Sequence, residues 1–211
     1  MPPLPNLLAF AVTAFVLIAV PGPSVLFVIG RSLALGRRGG LLSVLGNALG
    51  MLPQILATAI GLGTAAAQSA TVFTVIKFLG AGYLAYLGIQ AIRHRRQPPA
   101  TAPAAVPRSM RRLLREGFLV GATNPKSLVF FVAVLPQFVS VPAGSVPLQL
   151  AVLGLVFLVI ALVCDSMWAL AAGTARDWFA RSPGRISALR AAGGTMMIAL
   201  GGLLALAARR T

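Results

Sequence analysis

Six stretches of about twenty mostly apolar residues follow one another along the chain of 211 residues. A helix needs about twenty such residues to cross the ~30 Å hydrocarbon core of a bilayer, because each residue adds about 1.5 Å. The sequence therefore predicts an all-α membrane protein with six transmembrane helices. The stretches cover residues 7–29, 41–63, 72–92, 117–139, 148–173 and 191–208.

The composition narrows the classes of function. Hydrophobic residues make up 58% of the chain and charged residues only 10%, yet the formal net charge is +15. Such an excess of Lys and Arg suits nucleic-acid binding when the basic residues lie on a solvated domain, and the sequence shows no such domain. We therefore expect no nucleic-acid partner.

The basic residues predict how the chain crosses the membrane. Lys and Arg near the ends of spans are retained on the cytoplasmic side. They are concentrated after the first, third and fifth spans, whereas the opposite side carries only Arg209 and Arg210. We therefore expect a multi-pass protein with both termini outside the cytoplasm.

A basic, Pro/Ala-rich cytoplasmic loop over residues 93–116 separates two groups of three spans, residues 1–92 and 117–211. An odd number of spans repeated in tandem must insert in opposite orientations. The motif PGPSVLFV in the first span has a counterpart, NPKSLVFFV, in the fourth. The sequence predicts two inverted three-helix repeats, and the loop is suited to contact anionic membrane lipids, although a topology signal is the simpler interpretation.

Proline interrupts the first and fourth spans, at Pro21-Gly22-Pro23 and at Asn124-Pro125-Lys126. Proline has no N–H for the carbonyl four residues back, so it kinks the helix and leaves that carbonyl without its partner. Such a carbonyl costs several kcal/mol in hydrocarbon unless protein or water meets it. We predict that helices 1 and 4 are broken here and together expose backbone groups to a substrate; simple packing kinks are the alternative.

Polar and charged residues share one depth in the predicted spans. Counted from the cytoplasmic ends, Lys126 and Asp165 lie roughly 12–13 Å deep, and Pro23 and Asn47 roughly 9 Å deep. A charge at this depth costs about 2.5–3.5 kcal/mol on insertion, so a partner or a function is expected. We predict that Lys126 pairs with Asp165, that a substrate's carboxylate and ammonium compete for them, and that Asp165 carries a proton. A purely structural ion pair is the alternative.

Longer motifs resemble a known family. The stretch PGPSVLFVIGRSLALGRRGGLLSVLGNALG resembles the first signature of the lysine exporter and homoserine/threonine resistance (LysE/RhtB-type) family of bacterial amino-acid exporters. KFLGAGYLAYLG and NPKSLVFFVAVLPQF resemble its third and fourth spans. Ser24 departs from the Asn that members often have after Pro-Gly-Pro, which leaves the substrate open.

The resemblance implies a secondary transporter in the bacterial cytoplasmic (inner) membrane, and not an enzyme. It would export amino acids or their derivatives by proton antiport, without a cofactor, and we expect a small zwitterionic or cationic amino acid as substrate. The expected binding or coupling residues are Pro21, Gly22, Pro23, Ser24, Asn47, Asn124, Pro125, Lys126 and Asp165.

Two other functions and one other partner remain open from the sequence. A divalent-metal exporter of the wider superfamily would need several acidic ligands, and Asp165 is the only carboxylate well inside a span. A membrane-embedded enzyme would have to use Cys164 beside Asp165. The pair Gly46 and Gly50 permits close helix packing, either within one chain or in a homodimer.

Overall fold

The structure, a computed structural model, describes residues 1–65, 70–96, 109–175 and 183–206. In these ranges the regular elements are helices, which confirms the all-α class. Residues 97–108 of the basic loop, and Arg209 and Arg210, lie outside the described residues. The helices are α1 (Leu4–Ala19), α2 (Pro23–Ala65), α3 (Ala70–Arg93), α4 (Met110–Ala122), α5 (Pro125–Val129), α6 (Val146–Thr174) and α7 (Pro183–Leu206).

Three segments of the described chain have the length and apolar composition of a membrane span. A fourth apolar helix, α1, is shorter, with 16 residues. These segments agree with a helical membrane protein. The three are Pro23–Gly61, Met110–Phe138 and Val146–Thr174.

Both proline motifs interrupt the helical path, as predicted. The chain leaves α1 after Ala19 and enters α2 at Pro23; it leaves α4 after Ala122 and enters α5 at Pro125. Proline is well suited to the first position of a helix, where its missing N–H would have no helical partner. The fourth predicted span continues beyond α5 as a π-helical turn, Phe130–Val134, and a 3₁₀ turn, Leu135–Phe138.

Helix α2 is two arms that meet at Gly36. This residue has φ 74° and ψ −177°, in the positive-φ region that favours glycine. The first arm, residues 23–36, continues the first predicted span, and the second arm, residues 37–65, contains the second. The first two predicted spans are therefore joined by a sharp bend at Gly36, and the residues on both sides of the bend are helical.

Glycines bring α2 and α4 into backbone contact. A Cβ atom added at Gly46 or Gly50 of α2 would overlap the backbone of α4, and one added at Gly117 or Gly121 would overlap the backbone of α2. Small residues in both helices thus permit this close crossing. The pair Gly46 and Gly50 is used for packing within the chain.

The remaining contacts pair the other long helices. It packs against α2 and α1, while α3 packs against α7. Aromatic rings fill the space between α1, the π-helical turn and α6: the Phe130 centroid lies 5.8 Å from that of Phe10 and 5.0 Å from that of Phe157. This apolar cluster adjoins the polar region described next.

Candidate functional site

Lys126 meets the broken end of α1. Its Nζ donates hydrogen bonds to the carbonyls of Leu17 and Val20, at 2.7 and 2.9 Å. In an uninterrupted helix the Leu17 carbonyl would accept from residue 21, which is proline and has no N–H. A cation near a helix C-terminus is also favoured by the helix dipole. A side chain from the second half of the chain therefore supplies the hydrogen-bond donors that the break in the first half leaves missing.

A side chain also meets the carbonyl four residues before each of the other two prolines of these motifs, Pro23 and Pro125. Four residues before Pro23 is Ala19, whose carbonyl accepts a 3.2 Å hydrogen bond from the indole of Trp168. Four residues before Pro125 is Gly121, whose carbonyl accepts a 3.1 Å hydrogen bond from the Gln54 amide. At these three prolines the affected carbonyl is thus met by a side chain from another helix, and the Gly121 carbonyl also accepts a 3.2 Å hydrogen bond from the backbone N–H of Asn124.

The two proline motifs touch each other directly. The Asn124 amide donates to the hydroxyl of Ser24 at 3.0 Å and accepts from the backbone N–H of Lys126 at 3.1 Å. At Gly22, an added Cβ would lie only 2.9 Å from the Lys126 Cδ, so a larger residue here would displace the Lys126 side chain. The structure therefore brings both motifs to one place.

Asp165 is buried beside Asn47. The Nδ2 of Asn47 donates to the Asp165 carboxylate at 3.0 Å, and the exposed fractions of the two residues are 1% and 2%. Asn47 Oδ1 is also buried and has no hydrogen-bond partner among the described residues. A buried acceptor without a donor is costly, so this oxygen is available to a ligand.

Lys126 and Asp165 line one small cavity but bond to different groups. In the described part of the structure the ammonium contacts the α1 carbonyls and the carboxylate contacts Asn47, and the two charges form no direct ion pair. The ion pair that the sequence predicted is therefore not present here. The cavity is lined by Ile18, Ser24, Val25, Met51, Asn124, Lys126, Ser127, Phe157, Ala161 and Asp165.

The predicted site residues fall into three groups. Ser24, Asn124, Lys126 and Asp165 line the cavity. Asn47 is not in the lining, but it donates a hydrogen bond to Asp165, which is. The remaining predicted residues are not in the lining and form the two backbone breaks: Pro21, Gly22, Pro23 and Pro125.

Comparison with known proteins identifies the family. Residues 15–208 match the family model of the LysE type translocator. The chain is a LysE type translocator. Its motifs therefore resemble this family because the chain belongs to it, and the family is one of translocators rather than enzymes. No solved structure matches the chain.

Relatives of this translocator include proteins named for efflux. An "Uncharacterized membrane protein" of Vibrio cholerae is 39% identical over 95% of this chain and 96% of its own length. A "Homoserine/homoserine lactone efflux protein" of Salmonella typhimurium is 32% identical over 93% of this chain and 94% of its own. A "Leucine efflux protein" of the same species is 28% identical over 65% of each chain.

Three contributors to the site were not predicted for this translocator. Gln54 donates to α4 carbonyls and accepts a 2.9 Å hydrogen bond from Ser127, and Trp168 donates to the end of α1. The signal for Gln54 was present in the sequence as an amide inside an apolar stretch. Trp168 is an aromatic residue in a span that could line a substrate path, but Trp also anchors spans at interfaces, and Ser127 gave no signal because Ser is common in membrane helices.

An ion pair joins α4 to the first arm of α2. Arg31 bonds to Glu116, which also accepts a 3.0 Å hydrogen bond from Arg112, and the Arg31 guanidinium lies 5.0 Å from the ring centroid of Phe27. From the sequence, Arg31 is one of the basic residues after the first span, which indicate topology and no specific partner. Across the described residues, no group of three or more His, Cys, Asp or Glu side chains is arranged to hold a metal ion.

Proposed function

We propose that this translocator is a secondary transporter that exports amino acids or their derivatives from the bacterial cytoplasm in exchange for protons. One observation carries the proposal: a buried ammonium, Lys126, and a buried carboxylate, Asp165, line one cavity where both broken helices meet. A zwitterionic amino acid offers the two complementary charges. The names of the efflux relatives support the same class of substrate.

The hydrogen-bond inventory at the cavity fits an amino-acid head group. An ammonium has three N–H donors, and Lys126 uses two of them on α1 carbonyls, which leaves one for a substrate carboxylate. At the other side, the Asp165 carboxylate and the unpaired Asn47 Oδ1 are two acceptors for a substrate ammonium. Charge-assisted hydrogen bonds of this kind are the stronger ones.

Proton exchange follows from the position of Asp165. An isolated charge at this depth costs about 2.5–3.5 kcal/mol, so the carboxylate is best accommodated when a cation accompanies it. The substrate ammonium and a proton can fill that role in turn. A proton that arrives from outside would displace the substrate, and its release into the cytoplasm would prepare the site for the next one.

The contacts support two inverted repeats, residues 1–92 and 117–211, joined by the loop over 93–116. A two-fold axis that exchanged the repeats would convert the contact of α2 with α4 into the contact of α6 with α1, and both occur. It would leave the α3–α7 contact unchanged, and there Gly88 and Gly194 each face the other's backbone. The apolar stretches and the distribution of Lys and Arg along the sequence support six spans in the inner membrane with both termini outside the cytoplasm.

The function is tested by transport in vesicles. Purified protein is reconstituted into liposomes loaded with labelled amino acids, and release is followed with and without an imposed pH gradient. We expect release that accelerates when protons can enter in exchange. Release no faster than from protein-free liposomes, for every amino acid and in both gradients, would contradict the proposal. Divalent-metal release, followed in the same vesicles, tests the metal-exporter alternative.

A further inference from the structure

The cavity changes from polar to apolar along α6. Asp165, Ala161 and Phe157 all line it and are spaced four residues apart, so they lie on one face of the helix. At about 1.5 Å per residue, Ala161 is roughly 6 Å and Phe157 roughly 12 Å from Asp165 along the helix axis. The carboxylate therefore stands at one end of this face and an aromatic ring at the other.

Helix α2 contributes one apolar residue to the same part of the lining. Asn47 bonds to Asp165, whereas Ile55 packs against Gly154, so the two helices run antiparallel. Met51, one turn beyond Asn47 and on the same face, lines the cavity beside the apolar part of α6. Within the lining, Met51 therefore lies beside the apolar part of α6, while the next polar side chain of α2, Gln54, is already bonded to Ser127 and to the α4 carbonyls.

Aromatic rings close the apolar end. The ring centroid of Phe157 lies 5.0 Å from that of Phe130 and 4.9 Å from that of Phe131. Phe130 and Phe131 are not in the lining themselves, and they pack behind Phe157 on the side away from the cavity. In the described lining, Asp165 is the one carboxylate and Lys126 the one ammonium.

We infer that the cavity selects amino acids with a neutral, apolar side chain and rejects those whose side chain is charged. This inference rests on the proposed export function. With the head group between Lys126 and Asp165, the substrate side chain extends over Ala161 toward Phe157. A second ammonium, as in lysine, would lie there without a second carboxylate to pair with, and a second carboxylate would lie there without a second cation. Burying such an unpaired charge is strongly unfavourable.

The wild-type protein tests the inference directly. Liposomes are loaded with leucine, lysine and glutamate at equal concentrations, and the initial rate of release of each is measured. We expect leucine to leave at least about tenfold faster than either charged amino acid. Release of lysine as fast as leucine would overturn the inference and leave the export function standing. Release of none of the three would overturn the inference, and only if every other amino acid also failed to leave would the export function itself be contradicted.

The substitution Ala161→Leu tests whether the side chain of the substrate lies beside Ala161. The larger residue fills the space one turn from Asp165, so we expect leucine release to fall at least about tenfold while alanine release is largely retained. Val163→Leu enlarges a residue of the same helix that is 54% exposed, and serves as the matched control. Equal losses for leucine and alanine in Ala161→Leu would contradict this placement. The wild-type comparison decides the inference even if the variant fails to insert.

Discussion

The Nζ of Lys126 lies 2.7 Å from the carbonyl oxygen of Leu17, the group that a proline at position 21 deprives of its helical donor. One side chain therefore completes a broken helix and presents charge to the cavity. These two roles can be separated, because the carbonyl needs any N–H donor whereas a substrate carboxylate needs the positive charge.

Lys126→Met should remove both roles. It leaves the carbonyls of Leu17 and Val20 without their side-chain donor, at about 1–3 kcal/mol for each buried group, and it removes the charge. We expect a lower melting temperature in detergent and loss of transport in liposomes.

Adding Pro21→Ala to Lys126→Met separates the two roles. The alanine supplies an N–H that can bond to Leu17, so we expect part of the stability to return while transport stays absent. Recovery of transport in the double variant would mean that Lys126 serves only the helix end and does not bind substrate.

Gln54→Leu provides the corresponding test at the second break. The carbonyls of Gly121 and Ala122 would lose the amide that donates to them at 3.1 and 2.8 Å, so we expect lower thermal stability. Pro125→Ala offers a backbone N–H to Gly121 and should restore part of the loss.

Trp168 supplies the matched control. Its indole donates to the carbonyl of Ala19, four residues before Pro23, and so is not affected by a change at Pro125. Pro125→Ala should improve Gln54→Leu but should not improve Trp168→Phe. If it improves both variants equally, the pairing of each proline with its own donor is wrong, and the effect of Pro125→Ala is a general one on the helix.

Proline chemistry made the breaks predictable. A missing N–H is a property of one residue, so Pro21 and Pro125 mark the affected carbonyls without knowledge of the fold. Counting residues along the spans also placed Asn47 and Asp165 within a few ångströms in depth, and the structure joins them by a hydrogen bond.

The donors that meet those carbonyls were not predictable in the same way. A count of residues gives the depth of a side chain in the membrane, but the face that it occupies depends on how helices pack. Lys126 therefore had Asp165 as its expected partner at equal depth, while its actual bonds go to α1. Arg31 and Glu116 lay near span ends, where charges are common, and their pairing depends on the direction that the first arm of α2 takes.

The orientation of the chain is tested by labelling single cysteines. Starting from Cys164→Ala, cysteines are placed at Thr101, in the basic loop, and at Ser145, just before α6. With an impermeant reagent added to intact cells, we expect Ser145→Cys to be labelled and Thr101→Cys to react only after the membrane is opened. Labelling of position 101 alone in intact cells would invert the proposed topology.

Asp165→Asn tests the coupling of export to protons. The asparagine keeps the size of the side chain and an acceptor oxygen near Asn47, but it cannot bind and release a proton in the working pH range. We expect exchange of labelled for unlabelled substrate across the liposome membrane to persist at reduced affinity, while acceleration by a pH gradient disappears. Glu116→Gln removes a carboxylate that pairs with Arg31 outside the cavity and should leave that acceleration in place. If Asp165→Asn still exports against a concentration gradient with unchanged pH dependence, Asp165 is not the coupling residue; if the variant is lost from the membrane while Glu116→Gln is retained, its role is structural.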